Sequence, residues 1–433
     1  MRYGPKNLKI SFTGNHLTHF GGVYLLAQFL KQIQLRRLLS RHMTFAQRNT
    51  RYTVAEEVTS LLFPIMVGIG RIETTQMLRY DDVFHYLTGL RQFPTATTLR
   101  RFLVRMAPVA LTKLRMLHDR LLSRMMEKPK APTRVIFDLD STVLTLYGKQ
   151  ELAHKGYNPK KHGRVSYHPL LCFNGLTKDY WHGELRPGDV HTATGTTALL
   201  QEAFAKLPLS VRRIFIRGDK GFYDHKIIEA IEAERGRFAI VAKLTQPLKR
   251  KLSSLRYRTY RSGIQTAEFR YQPTNWQSKY RFVVIRRPVH EEPSDQLSLF
   301  EMGRFTYQVI VTNMALRPLN IWRFYNQRAA IELIIKELKS NYPLAKIPTK
   351  HFAANEAYFH LLFFAYNLVN WFKRLCLPTD SQHKSLASLR AQLLLIPGEL
   401  TNAHNRPTLK LPKRFPHQKA FWLALKTIHK LNI

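Results

Sequence analysis

The stretch from Tyr325 to Lys339 sets the tightest limit on what this chain can become. Its polar residues recur as Tyr325-x2-Arg328-x3-Glu332-x6-Lys339 among apolar neighbours. Read as a helix at about 100° per residue, Arg328, Glu332 and Lys339 fall within about 60° of Tyr325. Lys336 shares that face, while Glu337 lies off it. Ala330, Ile331, Leu333, Ile334, Ile335 and Leu338 take the other directions. A helix apolar on most sides is ordinarily buried, so a row of Tyr, Arg, Glu and Lys on it has to meet something polar and charged. One carboxylate among cations suits a metal ion beside a phosphate; a solvated face of an amphipathic helix accounts for the same pattern.

Charge narrows the choice. Lys and Arg number 68 against 29 Asp and Glu in 433 residues, a formal net charge of +39. A field of that sign calls for a polyanion, and nucleic acid comes first because phosphate neutralisation supplies most of the affinity. A ribosome-associated or anionic-membrane protein is the competing class. The membrane is disfavoured because no apolar run reaches the ~20 residues of a span. The longest such run, Leu361 to Phe372, is interrupted by Asn367 and Asn370 and reads as a core helix. The start, Met1-Arg-Tyr-Gly-Pro5, lacks a secretory apolar region, so a bacterial cytoplasm with nucleoid association is the expected location. Cys172 and Cys376 have no paired spacing or His–Cys cluster and read as core thiols.

Texture divides the chain into segments. Residues 1–126 read as a helical DNA-binding region, with helices over Ala55–Gly70 and from Phe93 onward. The latter carries Arg100 and Arg101 near its start, as a groove-entering helix or the surface helix of a bundle would. A Pro/Lys linker, Glu127–Pro132, follows. Residues 133–243 alternate short strands with helices, residues 244–314 read as an antiparallel β insertion, and helix returns over 315–376. The expected fold class is α/β, a mixed sheet with helices packed on it, interrupted by that insertion. Residues 377–433 form a basic C-terminal region of open structure.

Acids are scarce, which gives weight to those at strand ends. Asp138 and Asp140 alternate with Phe137 and Leu139 and so project from one side of the first strand. Asp219 ends Ile214–Asp219 before the turn Lys220-Gly221-Phe222, at the edge where open α/β sheets bind ligands. Each acid alone serves equally as a helix cap or ion-pair partner. Asp140, Asp219 and Glu332 together, on separate elements, suit two Mg²⁺ ions that activate a water or 3′-hydroxyl and stabilise the leaving oxygen in phosphodiester displacement. Arg328 and Lys339 would then bind non-reacting phosphates. No G-x-x-x-x-G-K-[ST] or H-E-x-x-H occurs.

With these motifs the chain resembles a bacterial insertion-sequence transposase of the DDE class, in the branch with the Y-R-E-K signature. Asp140 of Asp-Ser-Thr matches the first acid, Asp219 of Arg-Gly-Asp-Lys-Gly-Phe the second and Glu332 the third, while Tyr325, Arg328 and Lys339 complete the signature. The resemblance covers roughly 134–374. It implies a ribonuclease-H-like core with a β insertion between the second Asp and the Glu, and a metal site of Asp140, Asp219 and Glu332 holding two Mg²⁺ ions, with Mn²⁺ as substitute. It also implies a homodimer on double-stranded DNA, contacting the element's terminal inverted repeats and the target. Asp138 competes for the first position. Trp276 either stacks on a flipped base, as an insertion aromatic does in some relatives, or packs in its hairpin. Lys155, Lys160, Lys161 and Arg164, in a Gly/Pro-rich loop after the first carboxylate strand, are expected on the DNA backbone. A nuclease on the same core that cuts without joining, and a non-catalytic nucleic-acid-binding protein, are the rival readings.

Inside an acidic loop, Gln296-Leu297-Ser298-Leu299-Phe300 resembles the pentapeptide with which bacterial proteins dock on the replicative sliding clamp. Leu299 and Phe300 would enter an apolar pocket and Gln296 anchor them by hydrogen bonds, unless the apolar pair folds back on the insertion.

Overall fold

The computed structural model describes residues 8–47, 51–260, 262–288, 300–302, 305–403 and 405–431. The chain divides into two compact units, 103–371 and a second made of 1–102 with 372–433.

The 103–371 unit is built on a ten-stranded mixed sheet. Its strands are β1 (Arg134–Ser141), β2 (Leu170–Asn174), β3 (Tyr180–Glu184), β4 (Arg213–Gly218), β5 (Arg237–Val241), β6 (Arg258–Thr259), β7 (Gln265–Tyr271), β8 (Tyr280–Pro288), β9 (Phe300–Met302) and β10 (Phe305–Thr312). The order is β6-β7-β8-β10-β5-β4-β1-β2-β3, with β9 paired to β10. β1 lies centrally because Val135 through Asp140 are buried on both faces, which a strand tolerates only when covered on both sides. β2 and β3 form an antiparallel meander with β1, while β4 runs parallel to β1 and β5 parallel to β4. This is the mixed α/β sheet with packed helices that the strand pattern predicts. The helices α1 (Thr196–Ala205) and α2 (His225–Ala233) follow β3 and β4, and Asp224 caps α2 by accepting from Lys226 N at 2.9 Å.

The insertion does not stand apart as a separate sheet. β10 is buried from Tyr307 to Thr312 and pairs antiparallel with β5 through Val311–Ile240, so the insertion's strands prolong the core sheet. Beneath that junction Ala239, Val241, Val283, Ile285, Ile310, Met314, Ile321 and Tyr325 form one apolar cluster, seating α3 (Pro318–Asn326) on the sheet.

The single helix expected over Tyr325–Lys339 is two. α3 ends at Asn326 and α4 (Ala329–Ser340) begins after Gln327 and Arg328. At the break Arg328 N–H donates to Tyr325 O and Ile331 N–H to Arg328 O, an i−3 pattern that tightens the turn. Leu333, assigned to an apolar direction, is 68% exposed.

The helix Phe352–Cys376 shows why two asparagines interrupt the longest apolar run. Asn367 accepts from Tyr180 N and donates to Tyr180 O, both at 2.8 Å, and Asn370 donates to Thr177 O at 2.9 Å. They satisfy backbone of edge strand β3 and of the turn before it, which a purely apolar helix would leave unpaired.

In the other unit, Leu17–Thr18 pairs with Gly398–Ala403, which pairs in turn with Arg406–Lys410. The helix Gln418–Lys430 packs on Val23–Gln32. The basic C-terminal region is therefore folded with the N-terminal residues rather than separate from them, because its helix buries Phe421, Ala424 and Ile428. The helix Val54–Met66 starts in a capping box, with Thr53 accepting from Glu56 N and Glu56 reaching back to Thr53 N. Cys172 and Cys376 are buried free thiols. No helix among the described residues is long and apolar enough to cross a membrane.

Candidate functional site

Three acid-bearing elements meet around one guanidinium. Asp140 lies next to the end of β1, its Oδ1 accepting from Ser141 N at 2.8 Å. Asp219 follows β4 and caps the turn Lys220–Phe222, its Oδ1 accepting from Gly221 N at 2.8 Å. Glu332 sits exposed in the first turn of α4. Arg328 is buried and places Nη2 3.2 Å from Asp140 Oδ1 and Nη1 3.2 Å from Glu332 Oε1, while Nε and Nη2 donate to Leu139 O at 3.3 and 3.2 Å.

The carboxylates feel one another. Burial drives the Asp140 carboxyl up to about 6; Arg328 opposes that rise, and Asp219 and Glu332 add to it. Burial disfavours the Arg328 charge, yet Asp140, Tyr325, Asp219 and Glu332 raise its affinity for its proton. Tyr325 is pushed up to about 12 by burial, with Asp219, Glu332 and Asp140 adding to the shift. Lys339 donates to Val143 O at 3.0 Å, and burial, with Lys160 nearby, brings it down to about 8 against the pull of Asp140.

Among the described residues, the group of three potential ligands with donor atoms within 4.8 Å of one another is His182, Glu184 and Glu202. The expected set of Asp140, Asp219 and Glu332 does not close to that spacing, and Arg328 holds the middle between two of its members. The His182 group has its own balance of charge. Lys206 Nζ lies 2.9 Å from both His182 Nδ1 and Asp119 Oδ1, and Arg115 lies 2.8 Å from Glu202. An ammonium donating to Nδ1 leaves the ring proton on Nε2, the atom that faces Glu202 at 3.0 Å and that a metal would need bare. Burial, with Lys206 and Arg115 beside it, holds this imidazole neutral at about 2.

Asp138 and Asp140 part company here. Asp138 is closed in a bidentate pair with Arg217, Nη2 to Oδ2 at 2.8 Å, with both side chains 1% exposed. Ser141, next to Asp140, gathers two residues outside the expected site set, His168 and Thr192. His168 Nδ1 donates to Val190 O at 2.8 Å, which leaves Nε2 to accept from the Ser141 hydroxyl at 3.1 Å, and Ser141 Oγ lies 3.1 Å from Thr192 Oγ1. The Ser-Thr after Asp140 was a signal for Ser141; nothing in the spacing of His168 or Thr192 points to it.

Lys155, Lys160, Lys161 and Arg164 are all exposed on and beside a small sheet of Leu144–Thr145, His154–Lys155 and Val165–Tyr167. Asn158 organises their loop, accepting from Lys161 N at 3.1 Å and donating to Thr145 Oγ1 at 3.0 Å. Trp276 is half-buried in its hairpin against Tyr223 and Tyr280, at ring distances of 4.9 and 5.5 Å, which seats it on the segment just after Asp219. Arg100 and Arg101 belong to the other unit, where Arg100 pairs with Glu73. Gln296, Leu297, Ser298 and Leu299 lie outside the described residues, and Phe300 opens β9.

The chain belongs to a DDE transposase family: the model described as Transposase DDE domain group 1 matches residues 2–433. No curated protein matches the sequence. Among solved structures, the piggyBac transposase in a cryo-EM synaptic complex with hairpin DNA is similar over 87% of this chain and 86% of that one, at 13% identity and a TM-score of 0.40.

Proposed function

We propose that this transposase is encoded by a bacterial insertion sequence of the Y-R-E-K branch and acts in the cytoplasm at the nucleoid. It binds the element's terminal inverted repeats, cleaves phosphodiester bonds at the ends and joins the freed 3′-hydroxyls to target DNA. The observation that carries the reading is Arg328 spanning Asp140 and Glu332, with Asp219 close enough to shift Asp140.

These acids fit divalent ions by the chemistry of the donor set. They offer hard oxygens, and the like charges that raise Asp140 favour a cation among them. Two Mg²⁺ ions, or Mn²⁺ in their place, would supply stabilisation of charge on the attacking and leaving oxygens. The chain's own residues do the rest. Asp140, tied to Ser141 N, and Asp219, tied to Gly221 N, are held at the ends of adjacent strands, so their oxygens need little ordering when DNA arrives. Arg328 has a guanidinium fork suited to a phosphate, and Lys339 with Lys160 adds positive charge on the Val143 side. The exposed Lys155, Lys161 and Arg164 extend that charge along a DNA backbone, and Tyr325 anchors the α3 end of the site. Trp276 would have to leave Tyr223 to stack on a base. Arg100 and Arg101 give the other unit its candidate DNA contacts. Two copies would pair two ends.

The test is a plasmid excision and integration assay, with the gene supplied in trans to a marker bounded by its native flanking DNA. Movement with wild type and none with Glu332→Ala is the expected result. Cleaved but unjoined ends would favour the nuclease, and Mg²⁺-independent binding without cleavage the plain DNA-binding protein. The pentapeptide ending at Phe300 supports docking on the sliding clamp. Its test is pull-down of the clamp, expected with wild type and lost on combined Leu299→Ala and Phe300→Ala; an unchanged pull-down sinks the idea.

A further inference from the structure

We infer that Arg217 is a positioning residue for all three acids, tying the two carboxylate strands to the helical segment that carries Arg328 and Glu332. The inference rests on the metal-dependent reading of the site above. Its basis is one side chain with three attachments. Arg217 stands on β4 two residues before Asp219, and its register partner across the parallel ladder is Asp138, two residues before Asp140. Nε and Nη2 grip both oxygens of Asp138, which fixes β1 against β4 immediately below the two acids. The remaining donor, Nη1, gives a 2.8 Å hydrogen bond to Phe324 O, and the guanidinium lies 5.1 Å from the Phe324 ring centroid.

That third bond explains where the helix breaks. In an uninterrupted helix Phe324 O would accept from Arg328 N–H. Here Arg328 N–H turns to Tyr325 O, and Phe324 O takes Arg217 instead. A side chain inserted into the ladder is a recognised cause of such a kink. The redirected turn presents Arg328 to Leu139 O and Asp140, and Glu332 follows one turn later. Packing around the pair leaves no slack: a methyl group at Gly175 would stand 2.6 Å from Arg217 Nη2 and 2.7 Å from Asp138 Oδ2. A buried ion pair is a poor device for stability alone, since apolar residues of similar volume commonly replace one without loss. Its planar fork, which ties its own strand to two other elements at once, has no apolar substitute.

The experiment separates position from stability. Asp138→Leu with Arg217→Met replaces the pair by apolar groups, and Arg217→Lys keeps the charge but loses the fork. Each is compared with wild type, on a duplex carrying the native element end, for denaturation midpoint, Mn²⁺ half-saturation by electron paramagnetic resonance, and single-turnover cleavage. The apolar double variant is expected to keep its midpoint while Mn²⁺ affinity and cleavage each fall about 10-fold to 100-fold, with cleavage partly restored by excess Mn²⁺. Arg217→Lys is expected to show the same loss of metal affinity. Wild-type metal affinity and cleavage in a variant with an unchanged midpoint overturn the inference, as does a loss that follows the folded fraction alone. A wild type that neither binds Mn²⁺ nor cleaves overturns the reading beneath it, and this inference with it.

Discussion

Two aspartates on one strand, two residues apart, meet two arginines and end in opposite conditions. Asp138 spends both oxygens on Arg217 in a site sealed from water. Asp140 has one oxygen on Ser141 N and the edge of Arg328, whose other nitrogen reaches out to an exposed Glu332. The first pair is closed, with nothing left to offer. The second is a chain of partial contacts that opens toward solvent. The proposed metal site would draw on that unfinished coordination.

The comparison breaks most sharply under substitution to the neutral isostere. Asp140→Asn is expected to lower Mg²⁺-dependent cleavage of end DNA to background while circular dichroism stays that of wild type. Asp138→Asn is expected to act on the fold, because it strands a buried guanidinium; the cost is about 3–5 kcal/mol, read from urea denaturation. If Asp138→Asn costs nothing and Asp140→Asn unfolds the chain, the roles are reversed.

The pH response sharpens the same contrast. Asp140 has an ordinary value of 3.8 and a folded value of about 6. Between those values the folded chain holds more protons at this site than the unfolded chain, so this site's contribution to stability falls as pH rises through that window and is flat above it. The limiting slope is about 1.4 kcal/mol per unit. Wild type should therefore lose stability relative to Asp140→Asn from about pH 4 to about pH 6, in denaturation series at fixed salt, while cleavage rises over the upper part of that range as the carboxylate forms. A flat difference would place the titrating group elsewhere.

The smallest effect belongs to Lys339, whose value falls from 10.5 to about 8. Its charge is lost as pH rises through about 8, so wild-type affinity for end DNA should decline relative to Lys339→Arg between pH 7 and pH 9. Parallel titration curves would remove Lys339 from the DNA contacts.

Much of this was legible in the chain. The strand carrying Asp138 and Asp140, the strand leading to Asp219 and the helix after it follow from alternation and caps, which are local properties. The Tyr-Arg-Glu-Lys spacing predicts one helix, where the structure has two that part at Gln327 and Arg328. The break was hidden because its cause, Arg217 on Phe324 O, lies 107 residues away in sequence. His168, equally, reaches Ser141 only through the pairing of strands and the loop that carries Val190.

Residue order alone implies a basic protein with scarce acids at strand ends and a mixed sheet with helices, and it singles out Asp140, Arg328 and Glu332, three of the residues found together, because charge, periodicity and turn chemistry are written residue by residue. Only the packed fold settles that Asp138 is closed in a bidentate pair while Asp140 shares its arginine with Glu332, where the helix kinks, that the insertion prolongs the core sheet, and that the C-terminal residues fold with the N-terminal ones. Those outcomes depend on which partner arrives from elsewhere in the chain to satisfy a buried donor or carbonyl, and no local pattern records that.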